Sequence, residues 1–126
     1  MKKLLLLLML TFVSLFGETK WGDLFDGYDE AKSQNKRVMI MLSMKGCPGC
    51  EYMKGVVFED KAVAASLEKN FIAIELDVHS DFVPEELEYF ATPTFYFLDA
   101  DENILKRLNG GENAQKFIKT LEAMKK

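Results

Sequence analysis

Apolar and polar residues recur with different periods along the chain, and the changes of period divide it into helices and strands. Apolar residues fall at helical spacing in residues 21–34, where the polar side is acidic. Residues 38–43 are apolar without alternation, as expected of an interior strand that is covered on both faces. The same criteria predict helices at residues 47–57, 61–69 and 85–90, a last helix capped by Asn113, and strands at residues 71–77, 94–98 and 104–108.

The order of these elements predicts an α/β fold. Strands that are separated by helices require parallel crossovers. The five residues 99–103 between the last two strands suit a hairpin, so this pair should be antiparallel. We therefore expect one domain with a central mixed sheet of about four strands, flanked by helices on both faces.

The first 17 residues have the pattern of a secretory signal peptide. Lys2 and Lys3 precede an apolar body that runs from Leu4 to Phe16, and the small residue Gly17 follows it. This body of 13 residues is short for a membrane span. We expect cleavage near Gly17, which leaves residues 18–126 as the mature domain. An uncleaved N-terminal anchor is the alternative.

The charge of the chain argues against nucleic acid or an anionic membrane as a partner. The chain contains 16 Lys and Arg and 20 Asp and Glu. Removal of residues 1–17 takes away two lysines, so 14 basic and 20 acidic residues remain, and the net charge changes from −4 to −6. An acidic domain without a basic stripe lacks the electrostatic footprint of a nucleic-acid-binding protein.

Both cysteines of the chain lie in one short segment, Gly46-Cys47-Pro48-Gly49-Cys50, between the apolar strand and a helix. In an exported protein such a pair can persist as a disulfide. A bridge that closes so small a loop stabilises a fold little, because the entropic gain grows with loop size. The spacing and context therefore favour a redox-active pair over a structural one.

A second motif, Ala91-Thr92-Pro93-Thr94-Phe95, opens a later strand, and its proline follows Cys50 by 43 residues. With both motifs in this order of elements, the chain resembles the thioredoxin-like thiol–disulfide oxidoreductases. The likeness is greatest to the exported, reductase-type members, and it covers nearly all of residues 18–126. It implies that Pro93 is a cis proline that packs against the cysteine pair.

Position and resemblance together suggest the role of each residue. Cys47 stands at the start of the helix, where unpaired N–H groups and the helix dipole favour a thiolate, so it is the expected nucleophile. Cys50 lies one turn further along and is the expected resolving thiol. The resemblance implies that Thr92 and Pro93 form the other wall of the site, where the Thr92 main chain pairs with an extended substrate.

Several positions depart from the better-known thioredoxins. Gly46 stands where they carry tryptophan, and Met41 stands where they carry a buried aspartate that helps to move protons. Glu75 on the neighbouring strand is a candidate for that role, and Lys45 is the cation nearest to the pair in sequence. Whether either residue tunes the thiols stays open. The residues between the cysteines include no histidine, which favours an intermediate or reducing potential.

Other chemistries need residues that the sequence supplies only in part. A zinc knuckle needs a second cysteine pair, and covalent haem needs a histidine where Glu51 stands. A copper carrier can be built from Cys47, Cys50 and His79, because soft ligands select cuprous ion. Pro93 would normally exclude a metal from such a site, so copper transport is the alternative rather than the first expectation.

We therefore expect a periplasmic or secreted oxidoreductase, without a cofactor, that exchanges protein disulfides in the reducing direction. A disulfide oxidase or isomerase is the alternative, since these enzymes share the same residues and differ in potential and partner. The expected partners are protein disulfides and a membrane electron donor or acceptor. The 109 residues 18–126 leave no space for a dimerisation domain, so we expect a monomer.

Overall fold

The structure, a computed structural model, describes residues 19–126, and the predicted signal peptide lies outside them. The strands are β1 (Trp21–Gly22), β2 (Arg37–Ser43), β3 (Phe71–Asp77), β4 (Thr94–Leu98) and β5 (Ile104–Asn109). The α-helices are α1 (Leu24–Gln34), α2 (Pro48–Tyr52), α3 (Lys61–Asn70) and α4 (Ala114–Met124). A π-helical turn, Met53–Val57, continues α2.

The strands form one mixed sheet in the order β1-β3-β2-β4-β5. Both β1 and β2 run parallel to β3, whereas β4 is antiparallel to β2 and to β5. The predicted mixed α/β sheet and its antiparallel hairpin are confirmed. β2 is central, and its last residue, Ser43, lies opposite Asp77 at the end of β3. The carboxyl ends of these two strands therefore meet at one edge of the sheet.

Each face of the sheet is covered by helices over its own apolar core. α1 packs against one face, where the buried β2 residues are Val38, Ile40 and Leu42. α2, α3 and α4 pack against the other face, where Met39 and Met41 lie among buried aromatic rings. Because successive β2 side chains enter opposite cores, this strand is apolar at every inner position, as predicted.

The sheet has five strands where the sequence predicted four, because the first helix begins later than expected. Trp21 and Gly22 pair with Ala73 and Ile74 as an edge strand. The Asp23 carboxylate accepts a hydrogen bond from the main-chain N–H of Phe25 at 2.8 Å and so caps α1. A helix start at residue 21 is therefore wrong by three residues.

The predicted helix at residues 85–90 does not form. The segment makes a single turn in which Leu87 N–H donates to the Pro84 carbonyl at 3.0 Å, and Leu87 is buried against the sheet. Six residues provide too few helical hydrogen bonds to offset the cost of nucleation. The chain is held here by the burial of Leu87.

Candidate active site

The two cysteines lie where β2 leads into α2, and they form a disulfide with their Cα atoms 5.3 Å apart. Both side chains are nearly enclosed: Cys47 is 4% exposed and Cys50 is 1% exposed. Both residues belong to the core cluster beneath α2, and Cys47 is slightly the more exposed of the two. Both cysteines are therefore largely shielded from solvent while they are bonded to each other.

The local sequence explains how the loop turns into the helix. Gly46 has φ +73°, a left-handed conformation that residues with a Cβ rarely adopt. Cys47 is the N-cap, and its Sγ accepts a hydrogen bond from Cys50 N–H at 3.1 Å. Pro48 fills the first helical position, where a missing N–H costs nothing. The Cys47 sulfur consequently faces main-chain donors that have no partner within the helix.

Pro93 forms the wall beside the cysteines. It is buried, and its peptide bond with Thr92 is cis. A Cβ placed on Gly49 would lie 3.0 Å from Pro93 Cδ, so the proline ring is in close contact with the residue between the cysteines. The Pro93 carbonyl accepts a hydrogen bond from Gly110 N–H at 2.9 Å. The wall is thereby tied to the turn after β5.

Thr92 and Gly111 complete this side of the site. Thr92 is half-buried, and its Oγ1 is shielded from solvent without a hydrogen-bond partner among residues 19–126. A Cβ on Gly111 would lie 3.1 Å from Sδ of Met53, the residue that follows α2. Glycine at this turn therefore allows β5 to approach the segment that carries the cysteines.

A cleft opens beside Cys50 on the β3 side, opposite the proline wall. The charged residues that line it are Lys45, Glu51, Lys54, Glu75, Asp77 and Asp81. Glu75 Oε2 is shielded from solvent and lies 2.8 Å from Lys54 Nζ, at an angle that makes the contact an ion pair rather than a hydrogen bond. Four carboxylates and two lysines give the cleft an excess of negative charge.

Hydrogen bonds hold the loop that forms the rim of this cleft. Asp81 Oδ2 accepts from Asp77 N–H at 2.7 Å, and Asp77 Oδ1 accepts from the N–H groups of His79 at 2.8 Å and Ser80 at 3.2 Å. The hydrogen bond from His79 is the main cause that lowers the pKa of Asp77 below its ordinary value, and partial desolvation opposes it. The rim is therefore an ordered loop.

Two residues whose role the sequence left open, Glu75 and Lys45, line the same cleft as Cys50. Glu75 lies opposite Met41, the position at which the better-known thioredoxins carry their aspartate. The carboxylate is thus displaced to the neighbouring strand on the same side of the sheet. Lys45 is exposed at the entrance.

The structure does not bring His79 together with the cysteines as a set of metal ligands. His79 lies in the exposed loop after β3. In the described part of the chain, no three Cys, His, Asp or Glu side chains are grouped so that they could hold one ion. Cys47 and Cys50 bond to each other. The copper alternative thus has no supporting arrangement of ligands.

Lys54 and Asp81, which the structure places in the cleft, were not among the residues selected from the sequence. One signal was available for Lys54: it lies four residues after Cys50, and such residues share one face of a helix. Asp81 carried a weaker signal, since Asp77 and Asp81 bracket a polar turn of the kind that carboxylates stabilise.

The fold, the cysteine pair and the proline beside it define a thioredoxin-like protein thiol–disulfide oxidoreductase. The chain belongs to the thioredoxin-like domain family, whose model matches residues 24–125. Its similarity to one curated protein is local: it is 33% identical over 57 residues to the uncharacterized protein B0495.5 of Caenorhabditis elegans. The match covers 45% of this chain and 8% of that relative's length.

Solved structures with this fold are similar over most of the chain. A thioredoxin from Thermus thermophilus has a TM-score of 0.71 and 26% identity, covering 85% of this chain and 87% of its own. The DsbH oxidoreductase has a TM-score of 0.70 and 17% identity, with 86% and 85% covered. The oxidised C-terminal domain of DsbD from Neisseria meningitidis has a TM-score of 0.61 and 21% identity, with 78% and 89% covered.

Within residues 19–126, no helix combines the length and apolar character that a membrane crossing requires.

Proposed function

We propose that the protein is exported and reduces disulfides in other proteins, with Cys47 as the nucleophile and Cys50 as the resolving thiol. The observation that carries this proposal is the position of Cys47, which is the N-cap of α2 and whose Sγ accepts a hydrogen bond from Cys50 N–H. A helix start stabilises the thiolate form of such a cysteine, and the thiolate is the attacking species.

The proposed reaction consists of two exchanges. The Cys47 thiolate attacks one sulfur of the substrate disulfide, so that a mixed disulfide forms and the other substrate sulfur leaves as a thiolate. The Cys50 thiolate then attacks Cys47 Sγ, which restores the Cys47–Cys50 bond and releases the second substrate sulfur. The substrate gains two electrons and two protons, and a dithiol donor, which we propose to be a membrane protein, must reduce Cys47–Cys50 again.

Glu75 is the proposed acceptor of the Cys50 proton. Cys50 must lose its proton before it attacks, and Glu75 lies in the same cleft with its Oε2 shielded from solvent. A carboxylate held near a thiol in such a place can take up the proton directly or through a water molecule. Lys54 Nζ lies 2.8 Å from Glu75 Oε2 and so helps to hold the carboxylate in place beside the cleft.

Thr92 and Pro93 are the proposed contact for the substrate main chain. Pro93 lies close to Gly49, between the cysteines, so a polypeptide bonded to Cys47 would lie near this wall. An extended substrate that pairs with the Thr92 main chain would be aligned by hydrogen bonds that do not depend on its side chains. This recognition suits an enzyme with many protein substrates.

The reducing direction is supported by the charge around the pair. Strong oxidants of this class stabilise their reduced form, in which the nucleophilic cysteine is a thiolate. Here the cleft beside the cysteines carries an excess of carboxylates, and nearby negative charge disfavours a thiolate. We therefore expect a midpoint potential of about −270 mV, the thioredoxin value, rather than the value of about −120 mV that is typical of a strong oxidant.

Export is proposed from residues 1–17, with cleavage near Gly17 and a monomeric product in the periplasm or outside the cell. The basic start and the apolar body of this segment support the proposal. The mass of the protein recovered from the periplasmic fraction tests it. An intact N-terminus in the membrane fraction would instead favour an uncleaved anchor.

Trapping tests the assignment of the two cysteines. In Cys50→Ser the second exchange is blocked, so mixed disulfides with proteins should accumulate on Cys47 and should disappear on reduction. Cys47→Ser is the matched control and should trap far fewer adducts. Equal adduct levels on both variants would contradict the assignment. A midpoint potential of about −120 mV for the wild-type pair would contradict the reducing direction but not the roles of the two cysteines.

A further inference from the structure

Two phenylalanines are stacked on each other at the surface. The Phe25 and Phe82 rings have centroids 6.3 Å apart and planes inclined by 18°. Phe25 is 73% exposed and Phe82 is 66% exposed. Burial of such a ring is favourable by about 2 kcal/mol, so two rings left in water mark a surface that another molecule can cover.

The aromatic pair, Phe25 with Phe82, lies at the same end of the sheet as the cysteines. β1 runs parallel to β3, and α1 begins directly after β1, so its first turn lies at the carboxyl ends of β2 and β3. Phe82 directly follows Asp81, which lines the cleft beside Cys50. The aromatic pair therefore lies at the same end of the sheet as the active site, and Phe82 is one residue away from the cleft rim in sequence.

Both segments that carry the aromatic pair are acidic. Residues 21–30 and residues 77–86 contain four carboxylates each and neither lysine nor arginine. The carboxylates are Asp23, Asp26, Asp29, Glu30, Asp77, Asp81, Glu85 and Glu86, of which Glu30 lies away from the rings, in a pocket with Lys20 and Lys36 at the start of β3. The cations that line the cleft are Lys45 and Lys54.

The aromatic pair is presented by ordered elements. Asp23 caps the turn of α1 that contains Phe25. Hydrogen bonds between Asp77 and Asp81, and from His79 to Asp77, fix the loop that leads to Phe82. A surface that is ordered before binding loses little conformational entropy when a partner docks.

We propose that the aromatic pair is a docking surface for a basic, apolar segment of the protein with which Cys47 and Cys50 exchange disulfides. This inference rests on the proposed function. Aliphatic side chains of the partner would cover the two rings, and its Lys or Arg side chains would meet the surrounding carboxylates or lie over the rings. The opposite charges would also steer the encounter and raise the association rate.

Three synthetic peptides test the docking surface. Each has about 16 residues, which span about 50 Å when extended, and each carries the same disulfide-bonded loop at one end. The remaining residues are leucine and lysine in the first peptide, leucine and glutamate in the second, and glycine and serine in the third. The measurement is the second-order rate constant for reduction of each peptide by the reduced protein.

We expect the leucine–lysine peptide to react about ten-fold faster than the leucine–glutamate peptide at low salt, with a smaller ratio near about 0.5 M salt. The variant Phe25→Ser/Phe82→Ser should lose most of the rate advantage that the leucine–lysine peptide has over the glycine–serine peptide, and it should reduce the glycine–serine peptide at the wild-type rate. Ile104→Ser is the matched control, since Ile104 is an exposed apolar residue at the start of β5, opposite Leu98 and remote from the cysteines. This control variant should keep the rate advantage.

The outcomes separate the two proposals. If the wild-type protein reduces all three peptides at one rate, or if the double serine variant keeps the full advantage of the leucine–lysine peptide over the glycine–serine peptide, the docking surface is refuted and the proposed function stands. If the wild-type protein reduces none of the three, the proposed function itself fails. Both rings are exposed, so the double variant should fold, and an unchanged unfolding midpoint checks that it does.

Discussion

Gly27 lies where α1 approaches the sheet most closely, and its replacement tests how tightly these layers pack. It is buried in the interior of α1. A Cβ at this position would lie 2.7 Å from Ile74 Cδ1, 3.4 Å from Ile74 Cγ1 and 3.5 Å from Ile72 Cγ2. The first distance is shorter than carbon atoms tolerate, so Ile74 must move. We predict that Gly27→Ala lowers the free energy of unfolding.

Two opposing effects set the size of the change. Alanine is favoured over glycine inside a helix by about 1 kcal/mol. Overpacking of a filled core typically costs about 1–3 kcal/mol. Ile74 is 0% exposed in the core beneath α1, so its Cδ1 has little free space into which to rotate. We therefore expect a net loss of about 1 kcal/mol.

The second variant, Ile74→Val, removes the clashing atom. On its own it should cost about 0.5–1.5 kcal/mol, as is usual for the loss of one buried methyl group. When Gly27→Ala is combined with Ile74→Val, the Cβ of residue 27 would meet Ile72 and the remaining atoms of residue 74, at 3.4 Å or more. Gly27→Ala should then raise the free energy of unfolding by up to about 1 kcal/mol. The sign of the effect is thus predicted to reverse.

The free energy of unfolding is measured by urea unfolding of four oxidised proteins: the wild type, the two single variants and the double variant. The slope of the transition should stay the same in all four, since a changed slope would indicate altered compactness rather than altered packing. If Gly27→Ala stabilises the protein in the wild-type background as much as in the Ile74→Val background, the close approach does not limit packing, and the argument is refuted.

Three further predictions concern stability. Phe117→Ala should cost about 3–5 kcal/mol by urea unfolding, because the ring is fully buried with centroids 5.3 Å from Phe95 and 5.7 Å from Phe58; a cost near 1 kcal/mol would contradict a packed core here. Asp60→Ala removes the N-cap of α3 and should cost about 1 kcal/mol, whereas Asp60→Asn should cost less. The pKa of Asp77 is lowered from 3.8, so its ionised form stabilises the fold above that pH, and this contribution is lost as the pH falls through the lower pKa of the folded state; in Asp77→Asn the acid side of the stability–pH curve should be flatter.

The strands and long helices were predictable because their patterns repeat over enough residues. β3 and β4 begin and end where the sequence predicted them, and α3 ends one residue later. β1 was missed because two residues carry no periodicity, and only their pairing with β3 makes them a strand. The helix predicted at residues 85–90 is the opposite case. The residue types of this short segment suit a helix, but the burial of Leu87 determines the conformation that it adopts.

The cysteine pair and Pro93 were recognisable because each belongs to a local motif. Glu75 was identified as a candidate, but its ion pair with Lys54 depends on how α2 lies over the sheet, which no local pattern specifies. Phe25 lies in the segment whose apolar residues predicted the first helix, yet its ring is exposed. Asp23 caps α1, so Phe25 lies in its first turn, where its ring stacks on Phe82 of the loop after β3.

The carboxylates of this molecule are proposed to act on two things: on an approaching basic partner and on the cysteine pair. Salt screens exposed charges over about 8–10 Å, so the exposed acids of α1 beside Phe25, which do not line the cleft, act mainly on an approaching partner. Glu75 is shielded from solvent within the cleft beside Cys50, so its effect is screened far less. Added salt should therefore reduce the association rate of a basic partner while it leaves the midpoint potential of Cys47–Cys50 nearly unchanged. Glu75→Gln should slow the release of mixed disulfides without changing the preference for basic peptides.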